Sequence, residues 1–174
     1  MTDDAAPTAP TAPTTADRVL DPGCYVCVRT AAAELPRWQR IVRTSRWRVV
    51  HDFQTSLPGW LVVVPERHVT TIADLTADEA AELGELLRTL SIALRETVGC
   101  VKTYVMQFSE AEGFAHLHFH VVPRAADIPD DLKGPHVFGY HGGDPAGHVT
   151  EAERDALAER IGAVLERTGP PDPR

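Results

Sequence analysis

Hydrophobic and polar positions alternate along His116-Leu117-His118-Phe119-His120-Val121-Val122. A strand turns successive side chains to opposite faces. The spacing therefore predicts a strand over 116–122 with Leu117, Phe119 and Val121 facing a core. Upstream, Trp60-Leu61-Val62-Val63-Val64 is continuously apolar, the pattern of a central strand covered on both faces, with Pro65 as its stop. Ile41-Val42 and the run from Trp47 to Phe53 read as two strands joined by a turn at Thr44-Ser45, and Val101 to Phe108 as another. Leu83, Leu86, Leu87, Leu90 and Leu94 fall on one helical stripe. Thr76 and Glu79 have capping-box spacing, and Gly99 stands where a terminal glycine belongs, so the longest helix is expected over 76–98. Thr150 and Glu153 repeat that spacing and open a helix to Arg167.

Strands, helix, strands, helix in that order predict an α+β fold. Its sheet is largely antiparallel, with the long helix on one face and a C-terminal helix after it. Residues 1–18 are almost entirely Thr, Ala, Pro and Asp and are expected to be a disordered tail. A single domain is expected over 19–168, with a frayed end at 169–174. Residues 125–149, rich in Pro, Gly and His, read as a long irregular segment. Whether it covers a pocket or meets a second subunit stays open at this level.

Composition narrows the partners. The chain has 174 residues, 43% hydrophobic and 24% charged, with a net charge of −8. That balance argues against a general nucleic-acid binder, which carries a basic face. It leaves room for a small anionic substrate held by a few local donors. No apolar run approaches the roughly 18 residues of a membrane helix. Asp3 and Asp4 stand where a signal peptide would be basic. A cytoplasmic setting is expected, consistent with three cysteines that form no disulfide framework.

The alternating histidines carry the chemistry. His116, His118 and His120 share one face at a spacing of about 6.6 Å. A lone histidine on a strand is most often structural, but three in strict alternation are improbable by chance. Such a row suits two tasks: holding a divalent metal, or attacking and cradling a phosphate. A His-x-His strand can also hold catalytic zinc with a third ligand elsewhere. Cys24-x-x-Cys27 reads as half a metal site or a redox pair, and Cys100 as a small buried residue. His136, His141 and His148 lie in the irregular segment and are expected to be solvated.

The pattern His-apolar-His-apolar-His-apolar-apolar resembles the signature of the histidine triad (HIT) superfamily, and the resemblance covers residues 22–124. It implies a five-stranded antiparallel sheet with a long helix before the last two strands. It also implies nucleotide binding, and mostly hydrolysis or transfer of nucleoside monophosphate groups. By position, His118 would be the nucleophile on the α-phosphorus and His120 a donor to a phosphate or bridging oxygen. A histidine rather than glutamine at 120 favours hydrolysis over transfer to a sugar phosphate. Gln107, in Val105-Met106-Gln107, resembles a phosphate-contacting glutamine, although its spacing to the triad is shorter than usual. The loop 110–115 (Glu110 to Ala115) lacks the Ser or Thr frequent in relatives. Asp52 resembles an acidic residue that binds ribose hydroxyls; the opposing reading is a turn aspartate. Gly59-Trp60 departs from the Gly-His frequent at the start of the buried strand, so that the indole either reshapes the pocket or stacks on a base.

The resemblance also implies a structural zinc. In several relatives an N-terminal Cys pair, a His after the buried strand and the first triad His hold one ion. Here these are Cys24, Cys27, His68 (in Pro65-Glu66-Arg67-His68) and His116. Two thiolates and two imidazoles make a closed tetrahedral site that adds to folding rather than to catalysis. The opposing reading is two reduced thiols packing as small hydrophobes.

The expected protein is thus a nucleotide hydrolase, resembling the dinucleoside-polyphosphate type, that works through a nucleotidyl-His118 intermediate. Mg²⁺ would accompany a polyphosphate substrate, and a homodimer is expected. Three alternatives stand beside it: a nucleoside phosphoramidase or adenylate hydrolase of the same superfamily, a nucleotide-binding module with little turnover, and a zinc hydrolase with its metal on the triad.

Overall fold

A computed structural model describes residues 20–169; the expected tail at 1–18 and the end beyond 169 lie outside them. Five strands form one sheet in the order β1-β2-β3-β5-β4: β1 (Val42–Arg43), β2 (Trp47–His51), β3 (Leu61–Pro65), β4 (Lys102–Met106) and β5 (Phe119–Arg124). Every pairing is antiparallel. The helices are α1 (Tyr25–Ala31), α2 (Ala77–Val98) and α3 (Glu151–Thr168). The α+β fold with a five-stranded antiparallel sheet is therefore as the sequence predicts.

Residue pattern explains each element. Thr76 and Glu79 close the expected box: Glu79 N–H donates to Thr76 Oγ1 at 3.2 Å, and Thr76 N–H donates to Glu79 Oε2 at 2.8 Å. Gly99 ends α2 in the left-handed region at φ 70°, where a side chain would be strained. Leu86, Leu90 and Leu94 of α2 share one core with Trp47, Val49, Leu61, Val63, Leu117, Phe119 and Val121 of the sheet side, and Ile161, Val164 and Leu165 of α3 extend that core where α3 packs on α2 and on the Arg37–Gln39 turn. Helix α2 thus covers one face of the sheet, with α3 beside it. Burial of that face is the main favourable contribution to folding.

The opposite face carries the chemistry. Trp60, Val62 and Val64 alternate onto it from the β3 segment, as do His120 and Val122 from β5. It is covered by α1 and by residues 125–149. That segment is not unsupported loop: it winds through short 3₁₀ turns at Asp130–Leu132, Gly134–Tyr140 and Pro145–Gly147. It is tied to the loop after β2, where Ser56 N–H donates to Tyr140 O at 2.9 Å and Val149 N–H to Thr55 O at 2.9 Å.

Three boundaries differ from expectation. The last strand begins at Phe119, not His116. His116 and His118 stand on backbone outside the ladder, held where Leu117 N–H donates to Val69 O at 2.7 Å. The inward-outward alternation persists there because Leu117 is buried in the core. Pro65 is the last rung of β3, paired with Trp47, instead of a stop before the rung; at a strand end the missing N–H is tolerated. Strand β4 ends at Met106, which leaves Gln107 in the loop. The helix α1 has no counterpart in the apolar periodicity.

Candidate functional site

A cleft of about 340 Å³ opens on the uncovered part of the second face. Val50, Val62 and Val64 line its floor; His118, His120, Asp52 and His141 line one side. Tyr25, Phe53 and Phe114 form an aromatic group within it, with Tyr25 5.6 Å from Phe53 and 5.3 Å from Phe114 between ring centroids. Its size is that of a small-molecule site.

The tautomers of the triad histidines follow from their partners. His118 Nδ1 lies 2.8 Å from His116 O, so Nδ1 carries the proton and Nε2 the lone pair. Ser109 steadies the same ring: its Oγ is 3.2 Å from His118 Nδ1 and accepts the His118 N–H at 3.2 Å. Ser109 also accepts from Gln107 Nε2 at 2.9 Å. Among the described residues it is the non-glycine residue with positive φ, at 55°. A strained residue held beside a reactive side chain is characteristic of functional loops.

His120 has the complementary assignment. Trp60 Nε1–H donates to His120 Nδ1 at 3.0 Å, which leaves the proton on Nε2. Burial, with His118 adding to it, pushes the His120 imidazole down to about 4, so it is neutral at pH 7. The rings of His118 and His120 are 5.0 Å apart and nearly perpendicular. An imidazole with a lone pair on Nε2, beside one whose Nε2 carries a proton, can attack an electrophile while donating to an oxygen on it.

Trp60 neither stacks in the cleft nor lines it; it is fully buried behind His120. Gln107 does come near the triad, through Ser109. Asp52 is buried beside His120, and its Oδ1 accepts from Gln54 N–H at 2.7 Å as a turn aspartate does. Its Oδ2 is 3.2 Å from His141 Nε2. Burial is the largest influence on the Asp52 carboxyl and raises it, but the His141 bond and charge, the Gln54 N–H and His120 together outweigh it and hold the group below its usual range. The same bond raises His141, against its partial burial. His141 is therefore not a solvated loop histidine as expected: the turn Gly134–Tyr140 delivers it to the site. His51, next to Asp52, is fully buried and donates from Nδ1 to Asp52 O at 2.6 Å.

The four expected metal ligands come together. The donor atoms of Cys24, Cys27, His68 and His116 all lie within 4.8 Å of one another. His116 Nδ1 is 3.5 Å from both Cys24 Sγ and Cys27 Sγ, and His68 Nδ1 is 3.2 Å from Cys27 Sγ. A tetrahedral zinc with ordinary bond lengths places sulfur and nitrogen ligands about 3.5 Å apart. His116 Nε2 lies 3.1 Å from Pro65 O, which places its proton there and aims the Nδ1 lone pair at the sulfurs. Cys24 caps α1 and Cys27 lies within it, so the short helix supplies both thiols. The residues fit a structural divalent ion with soft-ligand preference. With His116 engaged here, the histidines facing the cleft are His118 and His120.

A small-molecule cleft on one face of a five-stranded antiparallel sheet, with paired imidazoles at the start of the last strand and just before it, defines the architecture of the histidine triad proteins. The family model "HIT domain" matches residues 37–127, and the chain belongs to that family. No curated protein matches it. Among solved structures, a Hit-like protein involved in cell-cycle regulation from Bartonella henselae is similar at 19% identity and TM-score 0.62, covering 84% of this chain and 99% of its own. A zinc-bound histidine triad family protein from Mycobacterium smegmatis has 18% identity and TM-score 0.61, with coverage of 83% and 94%. A histidine triad protein from Sinorhizobium meliloti has 24% identity and TM-score 0.60, with coverage of 73% and 89%. At these identities the likeness is one of fold.

Proposed function

We propose that the protein is a nucleotide hydrolase that cleaves at the α-phosphate through a nucleotidyl-His118 intermediate. The supporting observation is the complementary pair of tautomers on His118 and His120 at one side of the cleft. His118 Nε2 forms a bond to the α-phosphorus, and the bond to the leaving oxygen breaks with its electron pair going to the leaving group. Water then attacks the phosphorus, the N–P bond breaks back to the imidazole, and the nucleoside monophosphate is released. His120 Nε2–H stabilises the charge that develops on the phosphate oxygens.

The base would stack among Tyr25, Phe53 and Phe114, and the ribose would lie at Asp52, whose carboxylate keeps lone pairs beyond those used by Gln54 and His141. Gln107 and Ser109 would border the phosphates. Dinucleoside polyphosphates are the favoured substrates, with Mg²⁺ accompanying the polyphosphate. Cys24, Cys27, His68 and His116 would hold a zinc that pins α1 to the sheet, away from the reacting phosphate. The exposed Val101 and Val105 at the β4 edge support a homodimer.

The test mixes the protein, and separately His118→Ala, with diadenosine tetraphosphate. The readouts are AMP release and an AMP adduct on the quenched protein. Release and adduct that both vanish in the variant are expected. AMP binding with neither would leave a nucleotide-binding module instead.

A further inference from the structure

The indole behind His120 restricts what that imidazole can do. Trp60 has one polar atom, and it can only donate. That N–H lies on His120 Nδ1 at 3.0 Å, with the rings edge-on at 87° and 5.7 Å apart. The indole is held from several sides. Phe138 packs on it at 5.2 Å between centroids, and Asp52 N–H donates to its backbone oxygen at 2.8 Å. Gly59 before it has φ 85°, and a Cβ there would meet Val98 and Leu94 of α2 at 3.1 and 3.2 Å. The strand start is thus pressed against the helix.

With Nδ1 occupied by a donor, His120 keeps one proton, on Nε2. Losing it would leave an imidazolate. Gaining a second would set N–H against N–H in a buried position. His120 is a fixed hydrogen-bond donor and not a proton source. A histidine at position 60 could exchange a proton with His120; an indole does not.

We propose that Trp60 is a positioning residue that confines this site to substrates whose leaving group departs from the α-phosphate as a stable anion, phosphate or carboxylate, and excludes P–N substrates. The proposal rests on reading His118 as the nucleophile. In a phosphoanhydride, the Nε2–P bond forms, the P–O bond breaks, and the oxygen keeps the electron pair as an anion needing no proton. In a phosphoramidate, the departing nitrogen must receive a proton, and His120 cannot release the one it holds without becoming an imidazolate. The nearby His141 has its Nε2 turned to Asp52.

The experiment compares diadenosine tetraphosphate with an adenosine phosphoramidate of a primary alkylamine by kcat/KM at pH 7. It uses the wild type, the protein carrying benzothienylalanine at position 60 (sulfur in place of the indole N–H, same shape), and Trp60→His. Nitrogen-15 NMR of the His120 imidazole reads its tautomer in each. The wild type is expected to prefer the anhydride by about 100-fold, the scale of one positioned donor or proton, with the His120 proton on Nε2. In both variants the preference should shrink by about 10-fold or more and the tautomers should mix. An active wild type that cleaves both compounds equally overturns this proposal alone. So do variants in which neither preference nor tautomer moves. No turnover of either compound overturns it together with the hydrolase reading.

Discussion

His141 Nε2 stands 3.2 Å from Asp52 Oδ2, so an irregular segment far along the chain is tied to the end of β2 at the edge of the cleft. Each partner shifts the other: His141 is raised above its ordinary 6.5 and Asp52 is held below its ordinary 3.8. The stabilisation from a raised histidine is complete below 6.5 and is lost as pH rises through its folded value. That from the depressed carboxylate is complete above 3.8 and is lost as pH falls through its own. Replacing His141 by Gln should therefore open a stability gap to the wild type that is widest between about pH 4 and 6.5 and narrows above. Urea midpoints across that range check this; a gap that is flat with pH would place the pair outside the energetics of the fold.

Ser109 holds His118 by two contacts from a strained backbone. Ser109→Ala should lower turnover of the preferred nucleotide about 10-fold while leaving the global unfolding midpoint nearly unchanged, since the loop is exposed. Steady-state kinetics beside thermal melts separate the two effects.

The Cys24, Cys27, His68 and His116 cluster fits one zinc per chain. Cys27→Ala should abolish stoichiometric zinc and lower Tm by about 10 °C, as the loss of a few kcal/mol does in a domain of this size. Metal analysis with scanning calorimetry tests this. A zinc that survives the substitution would place the metal on the triad instead.

Glu79 closes the cap of α2 and also pairs with Arg67 at 2.7 Å through both oxygens, one residue before His68. Glu79→Ala should cost about 2 kcal/mol, from cap and charged pair together. It should also weaken zinc retention by loosening the segment that carries His68. Denaturant titration and competition with a chelator read the two.

Much of this was legible in residue order. The period of two through Leu117, Phe119 and Val121 named the core side of the triad even where the ladder is absent, because side-chain direction follows the local backbone. The two capping boxes and Gly99 located both long helices, since caps are satisfied by neighbours three residues away. The metal ligands and the triad followed from a family resemblance carried by short motifs. The helix α1 escaped because seven residues hold too few turns to show a period.

Local chemistry along the chain thus determined the strand faces, the helix limits and the inventory of imidazoles and thiols. Tertiary structure alone decided which nitrogen of each imidazole holds the proton. His118 takes its assignment from His116 O and Ser109, His120 from Trp60, and His116 from Pro65 O. It also decided that His141 faces Asp52 and not solvent. The reason is physical: a tautomer or an ion pair depends on an atom within about 3 Å. For His120, His116 and His141, chain order says nothing about which distant residue the packed sheet will bring that close.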